Sequence, residues 1–414
     1  MPQYDAVVVG AGPAGCAAAF DLARAGARVA LIEKHALPRH KTCGGGMPMA
    51  VEQVLALDTY RDLAPEAFVE ADTRFMRHTW QFGQAVLAPL NPDPNEPRQI
   101  SLWMVRRSVF DNALAQRAAA AGAELRDGLA VRSIDRDADG AVRVTADGRA
   151  GGWSGTAGTV IGADGANGVV ARSSGLRRNR ALAIAIEAEV PHAWGDGHVD
   201  LRPDVCHLEY GAVERGYAWV FPKGDHINVG AGVFRPKQAG EQGDNTVRAD
   251  LRRAIMDYLD MLGVPRREDE LTFHAHPLPI WNGLDKLQSA DARVLLAGDA
   301  AGLINPFFGD GILHALKSGQ IAACAVLEGS QRQYTQAIGR EFRTNFDSAL
   351  KLAKFFYQWP RFCYQHGVRR PGATRTAARL LCGDAVFTDV AGRVLRRLRQ
   401  ALVSGADEPS PVTE

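Results

Sequence analysis

Short apolar runs and one helix-forming segment alternate along the first 32 residues. YDAVVV at 4–9 is a β-branched run, and a glycine-rich turn separates it from AAAFDLARAGA at 17–27, which is rich in alanine and leucine. A second apolar strand follows at 28–32. This order predicts a βαβ unit, in which a right-handed crossover joins two parallel strands. Further apolar strands are predicted at 159–162 and 293–297.

The segment 107–125 predicts an amphipathic helix, because its apolar side chains recur on one face. The residues on that face are Phe110, Leu114, Ala118 and Ala121. Apolar and polar residues then alternate around Val131 and Val142, on either side of an Asp139-Gly140 turn. This pattern predicts an antiparallel hairpin.

The middle and the end of the chain show sequence patterns that differ from those of the segments above. Residues 91–98 predict a proline-rich loop, and 206–234 alternate as strands around a turn at 223–225, which indicates a second domain with an antiparallel sheet. Residues 335–403 are predicted to be helical. The end of the chain, 406–414, is predicted to be a frayed tail.

Composition places the chain among ordinary globular proteins. Its 414 residues correspond to two or three packed units, and 46% hydrophobic with 23% charged residues excludes a disordered chain or a fibre. The net charge of +1 and the lack of a base-recognition module exclude nucleic acid as a partner. Nine arginines and two aspartates nevertheless give 361–400 a charge of +7, which leaves −6 for the remainder. This segment could lie on an anionic membrane surface or form solvated helix faces.

Cysteine usage and the N-terminal pattern indicate a cytoplasmic protein. Six cysteines without a C-x-x-C pair resemble neither a disulfide framework nor a structural zinc site, so we expect a reducing compartment. The apolar stretch 6–20 follows Asp5 rather than basic residues and contains three glycines and a proline, unlike a signal peptide. No run reaches the roughly 18 to 20 apolar residues of a membrane-spanning helix. Any membrane contact is therefore expected to be peripheral.

The turn after the first strand carries a dinucleotide-binding pattern. Gly10, Gly12 and Gly15 form G-x-G-x-x-G, and Glu33 ends the next strand, 18 residues beyond Gly15. Glycine at these positions permits the tight turn, the approach of the backbone to a pyrophosphate and close helix packing, while the helix N-terminus donates to the phosphates. Glu33 could accept hydrogen bonds from a ribose. The alternative is a glycine-rich helix start without a ligand.

Two later segments bear on whether the dinucleotide is NAD or FAD. IGADGAN at 161–167 and LAGDAAG at 296–302 each follow a strand, and Arg107 begins R-x-x-F-D. Together they resemble the flavoprotein family that includes p-hydroxybenzoate hydroxylase, the tryptophan halogenases and the geranylgeranyl reductases. The resemblance implies FAD, with Asp299 on the ribityl chain and Asp164 beside the pyrophosphate. Asn167 stands where this family usually has serine.

Four more segments indicate which group within this flavoprotein family the chain resembles. They are K-T-C-G-G-G at 41–46, Y-A-W-V-F-P-K at 217–223, N-V-G-A-G at 228–232, and Asn305-Pro306 before the pair Gly309 and Gly311. This set resembles the geranylgeranyl reductase family, which uses reduced FAD to saturate isoprenoid double bonds. The match spans residues 4 to about 330. In this family the helix that begins near Gly309 would direct its N-terminal dipole at the flavin pyrimidine edge.

The family implies a fold class and a domain layout. The class is α/β, with a glutathione-reductase-like FAD-binding Rossmann domain, an antiparallel-sheet substrate domain and a helical C-terminal region. The FAD domain is expected at 1–70, 100–180 and 285–330, the substrate domain at 71–99 and 181–284, and the helical region at 331–414.

The resemblance also implies a set of site residues. The cofactor-binding residues would be Gly10, Gly12, Pro13, Ala14, Gly15, Glu33, Lys34, Cys43, Gly44, Gly46, Arg107, Ala130, Asp164, Asp299, Pro306, Gly309, Gly311 and Ile312. The catalytic candidates are Cys43, Gly45, Tyr217 and Trp219.

Three of these assignments have alternatives. Cys43 either lies against the flavin, where it assists proton delivery or positions the alkene, or is a small buried residue in a glycine turn. Tyr217, Trp219 and Phe221 share one sheet face by their period of two, and either line an apolar substrate tunnel or form core. The H-x-H pair of 274–276 has no third ligand nearby, so loop histidines are expected rather than a metal site.

The predicted reaction is hydride transfer from reduced FAD to a C=C bond of a prenyl chain, with an isoprenoid substrate as partner and NADPH or reduced ferredoxin as electron donor. Two other functions are compatible with the motifs. One is an FAD-dependent monooxygenase or halogenase, although Y-A-W-V-F-P differs from the halogenase pattern W-x-W-x-I-P at its first and fifth positions. The other is a non-catalytic, flavin-binding redox sensor.

Overall fold

The computed structural model describes residues 3–93, 95, 99–138, 140–149, 151–176, 181–195, 198–234, 244–265, 271–370 and 372–403. The strands are β1 Tyr4–Val9, β2 Val29–Ile32, β3 Gly46–Pro48, β4 Val69–Thr73, β5 Phe75–Trp80, β6 Gly83–Pro89, β7 Leu102–Val105, β8 Glu124–Arg126, β9 Leu129–Arg136, β10 Val142–Gly148, β11 Gly151–Gly162, β12 Ala181–Pro191, β13 Val205–Tyr210, β14 Gly216–Pro222, β15 His226–Val233, β16 His274–Ile280 and β17 Val294–Leu296. The α-helices are α1 Pro13–Arg24, α2 Val51–Val54, α3 Leu57–Tyr60, α4 Arg107–Ala120, α5 Val169–Ser173, α6 Asp244–Met261, α7 Ile312–Leu327, α8 Tyr334–Ile338, α9 Thr344–Gln358, α10 Pro360–Cys363, α11 Ala373–Cys382 and α12 Phe387–Val403. Three-residue to five-residue 3-10 and π turns lie at Pro65–Ala67, Gly298–Ala301, Gln331–Gln333, Gly339–Arg343 and Tyr364–Val368.

The first sheet has seven strands in the order β8-β2-β1-β11-β10-β9, with β17 pairing to β11. β1 is parallel to β2 and to β11, with Val7 opposite Ala30 and Val8 opposite Ile161, and β17 is parallel to β11. β2 is buried along its whole length, as expected where helices cover both faces of a parallel sheet. The predicted βαβ unit is confirmed.

An antiparallel meander of β9, β10 and β11 extends this sheet on one side. The β9–β10 turn is closed by a hydrogen bond of 2.9 Å from the Gly140 amide to the Asp137 carbonyl. The predicted hairpin is therefore present, although Asp139, half of the predicted turn, lies outside the described residues. The helix α4, predicted from residue 107, begins there and buries Phe110 and Leu114.

The second sheet also has seven strands, in the order β16-β12-β15-β14-β13-β5-β6. Its neighbours are antiparallel except β13 and β5, which are parallel with His207 opposite Arg77. The predicted antiparallel sheet is therefore present, with one parallel pair that the sequence did not predict. A parallel pair needs a long crossover, and here the chain passes through the first sheet between the two strands. The helix α6 covers one face through a cluster that includes Ile255 and Leu259.

A third, small sheet has the order β3-β7-β4, and its strand β3 begins at Gly46, at the end of the glycine loop after Cys43. The strands at 75–89 and 181–280 belong to the second sheet and those at 4–32, 124–162 and 294–296 to the first. The domain boundaries given above remain predictions at the level of single residues.

The C-terminal region is helical, as predicted. α9, α11 and α12 pack through a cluster that includes Ala349, Leu380 and Phe387. Within the described ranges, no helix combines the length and apolar character needed to cross a membrane. The predicted tail at 406–414 and four residues of the predicted loop at 91–98 lie outside those ranges.

Candidate active site

A cavity of about 1030 Å³ runs between the first sheet, the second sheet and the C-terminal helices. All the site residues predicted from sequence line it except Gly15 and Pro306. Residues separated by more than 290 positions, such as Gly10 and Gly311, are thus brought to one space.

The glycine-rich turn forms one end of this cavity. Gly10 has φ +102°, and a Cβ there would lie 2.4 Å from the Ala163 carbonyl oxygen, so only glycine fits. A Cβ on Gly15 would lie 1.8 Å from the Gly10 carbonyl oxygen, which explains why Gly15 serves packing and does not line the cavity. A Cβ on Gly12 would meet nothing within 4 Å, so this backbone, at the start of α1, faces open space where a pyrophosphate fits.

Glu33 belongs to a buried network of ionic groups beside that turn. Its Oε2 accepts a hydrogen bond of 2.9 Å from the Ala11 amide, and its Oε1 lies 3.4 Å from Arg39 Nε. Arg39 Nη1 lies 2.9 Å from Asp111 Oδ2, and Arg107 Nε lies 2.8 Å from Asp111 Oδ1. Burial disfavours the charge on Arg107, but Asp111 outweighs burial and raises the pKa of Arg107 above its ordinary value. Glu33 therefore fixes the turn; its contact with a ribose remains a prediction.

Asp164 lies next to Gly10 and caps the short helix α5. Its Oδ2 accepts a hydrogen bond of 3.0 Å from the Val170 amide. Its Oδ1 is buried and has no hydrogen-bond partner among the described residues. Burial raises the pKa of this carboxyl group. A polar atom without a partner beside an open glycine backbone fits a site for a polar ligand such as a pyrophosphate.

Asp299 lies in the 3-10 turn after β17, with its Oδ2 3.9 Å from His276 Nε2. Burial acts to raise the pKa of Asp299, but His276 and the charge of Lys41 hold it below its usual range. Burial also lowers the pKa of Lys41. His274 and His276 lie on the strand β16, which corrects their expected place in a loop: proline residues at 277 and 279 hid the strand pattern.

Lys223 fastens the glycine loop that follows Cys43. Its Nζ donates to the Gly44 carbonyl oxygen at 2.7 Å and to the Val105 carbonyl oxygen at 2.9 Å. The side chain is buried, and burial lowers its pKa to about 8. Gly45 has φ +72°, and a Cβ there would lie 2.1 Å from the Val105 carbonyl oxygen. The loop thus needs glycine at 45 because it packs tightly against protein.

A second set of hydrogen bonds holds the Cys43 backbone. The Cys43 amide donates to Glu187 Oε1 at 2.7 Å, and Glu187 Oε2 accepts from Asn228 Nδ2 at 3.3 Å. Asn228 Oδ1 accepts from Trp219 Nε1 at 2.9 Å. Burial raises the pKa of Glu187. Lys223, Glu187 and Asn228 were not predicted from the sequence as supports of this loop. Lys223 and Asn228 lie in the quoted motifs, but nothing in the local pattern points to Glu187.

The aromatic residues of β14 form a ladder on the cavity side. The ring centroids of Tyr217 and Trp219 are 5.9 Å apart and those of Trp219 and Phe221 are 6.1 Å apart. The Tyr217 hydroxyl donates to the Phe308 carbonyl oxygen at 2.6 Å. The predicted common face is therefore present, and all three rings line the cavity.

The segment 307–311, which joins the ladder through the hydrogen bond from Tyr217, forms the adjoining wall of the cavity. Gly309 has φ +75°, and α7 begins at Ile312. Asp310 Oδ2 lies 2.9 Å from His314 Nε2. Pro306 lies outside the cavity wall, next to Asn305, whose backbone amide donates to the Asp310 carbonyl oxygen at 3.0 Å.

The C-terminal helices close the far end of the cavity with apolar side chains. These are Leu352, Phe356, Tyr357, Cys363, Val368, Leu380, Leu381, Val390 and Val394. No site residue was predicted in this region, because the resemblance to known motifs ends near residue 330. The same segment also lines the cavity with His366, Arg370, Thr374, Thr376 and Arg397. Most of the charged lining residues lie at the cofactor end and most of the C-terminal wall is apolar, as a site for a flavin and an apolar substrate requires.

One group within the described ranges has the spacing of metal ligands: Glu70, Asp225 and His226. The guanidinium of Arg106 lies against all three, 3.0 Å from Glu70 Oε1, 2.7 Å from Asp225 Oδ1 and 3.2 Å from His226 Nδ1. The arginine charge takes the place that a cation would need.

The FAD binding domain family matches residues 3–318 of the chain. Menaquinone reductase from Mycolicibacterium smegmatis is 31% identical, with 96% of this chain and 96% of the relative covered. The chloroplastic geranylgeranyl diphosphate reductase from Oryza sativa subsp. japonica is 32% identical, with 91% of this chain and 78% of the relative covered.

Solved structures share the fold. A geranylgeranyl bacteriochlorophyll reductase-like protein from Thermoplasma acidophilum superposes with a TM-score of 0.72 at 21% identity, covering 96% of both chains. A flavin-dependent brominase superposes with a TM-score of 0.72 at 19% identity, covering 97% of this chain and 98% of the other. The fold is thus common to a reductase-like protein and a halogenase, whereas the two sequence relatives above are named as reductases. The chain belongs to the geranylgeranyl reductase family of FAD-dependent oxidoreductases.

Proposed function

We propose that this protein saturates C=C bonds of a prenyl chain of the geranylgeranyl type. The observation that carries the proposal is that a single cavity is lined by the glycine motifs of the cofactor end, by the aromatic ladder of β14 and by apolar side chains of the C-terminal helices. The family relationship to a geranylgeranyl diphosphate reductase and a menaquinone reductase supports it. FAD, when bound and reduced, supplies the hydride.

The residues of the chain bind and orient the two reactants. Gly10 and Gly12 give the pyrophosphate access to the N-terminus of α1, and Asp299 holds the ribityl chain. Tyr217 and Trp219 orient the alkene from the substrate side. Alignment of two bound groups in a water-excluding space is the main contribution to rate that such a site makes.

The loop of Cys43 lies between the two reactants. Lys223 and Glu187 hold its backbone from two sides, at 2.7 Å each, so the loop has one defined position. Cys43 is half-buried in the cavity wall, where it positions the alkene or passes a proton to it. Gly45 keeps the loop in contact with Val105.

The electron donor is proposed to be NADPH or reduced ferredoxin. The sequence has a single G-x-G-x-x-G fingerprint, which is assigned to FAD. A nicotinamide donor therefore has no second fingerprint of this kind and would bind only transiently. The protein is proposed to be cytoplasmic, with the arginine-rich segment 361–400 as its candidate for peripheral membrane contact.

The test is an anaerobic reaction of the photoreduced holoenzyme with geranylgeranyl diphosphate and with a menaquinone. Reoxidation of the flavin together with a product whose prenyl chain has gained two hydrogens per flavin supports the proposal; reduction of the menaquinone ring to the quinol alone does not. The brominase fold match favours one rival, an enzyme that uses oxygen. For that enzyme, the flavin would stay reduced until oxygen is admitted.

A further inference from the structure

The register of the second sheet places Glu187, Gly230 and Trp219 in one row across the neighbouring strands β12, β15 and β14. The two outer residues of this row line the cavity. Two strand spacings, about 9.5 Å, separate their backbones, so their side chains need a bridge to interact. Gly230 leaves the middle of the row open: a Cβ there would lie 2.1 Å from Trp219 Cζ2, so the indole ring lies over the glycine backbone.

Asn228, two residues before Gly230 on the middle strand, is this bridge. Its Oδ1 accepts a hydrogen bond of 2.9 Å from Trp219 Nε1, and its Nδ2 donates to Glu187 Oε2 at 3.3 Å. Glu187 Oε1 in turn accepts from the Cys43 amide at 2.7 Å. Asn228 and Glu187 are both buried. These four residues form a hydrogen-bonded relay from the substrate side of the cavity to the Cys43 loop.

The relay can have only one polarity. An indole Nε1 and a backbone amide donate only, and an asparagine side chain offers one acceptor and one donor group. A chain with donors at both ends therefore needs a group beside Asn228 that accepts with both oxygens, which is an ionised carboxylate. Burial raises the pKa of Glu187, while the Cys43 amide and Asn228 act in the opposite direction. Lys223, which donates to the Gly44 carbonyl oxygen at 2.7 Å, supplies the opposite charge.

The loop also contacts the indole directly. A Cβ on Gly44 would lie 3.0 Å from Trp219 Nε1, so the loop backbone lies close to the edge of the ring that bonds Asn228. The backbones of Gly230 and Gly44 and one hydrogen bond thus define the place of the indole. Movement of the loop and movement of the indole are therefore coupled.

We propose that Asn228 and Glu187 are positioning residues, which act through Trp219 and the Cys43 loop to hold the alkene in the alignment that hydride transfer requires. The inference rests on the proposed function and adds two residues to the alignment on which that function depends. A misplacement of about 1 Å in such a site costs about a hundredfold in rate. A relay of fixed polarity prevents such a misplacement, because any other orientation leaves a buried donor or acceptor unpaired.

The test is an exchange of polarity between the two residues. Glu187→Gln places a second donor opposite the Asn228 amide, and Asn228→Asp places a second carboxylate opposite Glu187. Each change breaks the relay without changing the size of the side chain. In Glu187→Gln/Asn228→Asp, the new glutamine accepts from the Cys43 amide and donates to the new aspartate, which accepts from Trp219. Every hydrogen bond of the relay is then restored.

A single turnover of the photoreduced holoenzyme with geranylgeranyl diphosphate, without oxygen, measures the rate of flavin reoxidation. Each single variant should be slower by about thirtyfold, with FAD content and substrate affinity within about twofold of the wild-type values. The double variant should recover to within about threefold of the wild-type rate. A double variant as slow as the single ones, or single variants with the wild-type rate, would overturn the proposal.

The indole N–H of Trp219 gives a second measurement that needs no substrate. In holoenzyme with ¹⁵N-labelled tryptophan, its NMR signal is assigned by its loss in Trp219→Phe. Exchange of this proton with D₂O should be about tenfold faster in either single variant and return to the wild-type rate in the double variant. Equal exchange in all these proteins would show that the relay does not hold the ring.

The matched control is Glu189→Gln, the same change on the same strand at a side chain that is 44% exposed. It should match the wild-type protein in both measurements. A relay that governs indole exchange but leaves the reoxidation rate of the single variants unchanged would contradict the positioning role. Failure of the proposed function looks different: the wild-type flavin itself then stays reduced with the prenyl compound, while indole exchange still follows the variants.

Discussion

The cofactor end and the C-terminal end of the cavity are held together by different forces. At the cofactor end, buried charges pair within a few ångströms, as in the network of Arg39, Asp111 and Arg107, and glycines allow backbones to touch. At the C-terminal end, stacked rings and aliphatic side chains line the wall and no such network occurs within the described ranges. We therefore expect that binding of the cofactor and choice of the substrate can be altered separately, because different groups line the two ends.

Lys223, which holds the Cys43 loop between the two ends of the cavity, should show the largest effect, a change of stability with pH. Burial lowers the pKa of Lys223 to about 8, whereas the same lysine in the unfolded chain stays protonated to about pH 10.5. Between these values the unfolded state binds more protons, so the stability that this group contributes rises with pH, by up to about 3 kcal/mol. Chemical denaturation measures the free energy of unfolding of the wild-type protein and of Lys223→Met. The difference between the two should shift in favour of the wild-type protein by that amount from pH 8 to pH 10.5. A constant difference would mean that Lys223 is not a buried cation.

Removing the carboxylate of Asp299 should act on the cofactor end alone. Asp299→Ala is expected to weaken FAD binding by about a hundredfold, because a buried charged acceptor for the ribityl chain is lost. Flavin content after dialysis and equilibrium titration with FAD measure this. Asp250→Ala, an exposed change on α6, is the control. Full flavin occupancy in Asp299→Ala would show that its assigned role is wrong.

A large side chain at the C-terminal end of the cavity should impair turnover of the substrate and leave FAD binding unchanged. Ala377 on α11 lines the cavity, and Ala377→Trp is expected to lower turnover of a geranylgeranyl substrate about thirtyfold while flavin content stays normal. Arg248→Trp adds the same side chain to the exposed surface of α6 and should change neither quantity. If Ala377→Trp loses FAD instead, the two ends are not separable.

A methyl group on Gly12 should affect the ligand and not the fold. The space beyond this glycine is open and its φ is −86°, so Gly12→Ala should change the free energy of unfolding of the apoprotein by less than about 1 kcal/mol. It should weaken FAD binding about tenfold, because the methyl group projects toward the pyrophosphate. Thermal unfolding without FAD and titration with FAD separate the two effects. A large loss of apoprotein stability would place the role of Gly12 in packing.

The cofactor end was predictable because its determinants are local. A tight turn at Gly10, a parallel strand followed by Glu33 and a strand followed by Asp299 each need particular residues at fixed spacing. The hydrogen bond from the Cys43 amide to Glu187 was not predictable, since it joins residues 144 positions apart through the register of the second sheet.

At the C-terminal end, the contacts of the apolar side chains could likewise not be predicted from the sequence. The helices after residue 335 follow from composition, but which of their faces line the cavity depends on how α9, α11 and α12 pack on each other. The parallel pairing of β13 with β5 has the same origin, because a pair so distant in the chain leaves no local pattern. Short motifs predict local backbone geometry, but they do not predict which distant segments pack together.

The most direct measurement is a single turnover of the holoenzyme, reduced without oxygen and mixed with geranylgeranyl diphosphate. The account predicts that the oxidised flavin spectrum returns in step with one saturated C=C bond per flavin. A flavin that remains reduced with the substrate bound, and is reoxidised only when oxygen enters, would contradict it.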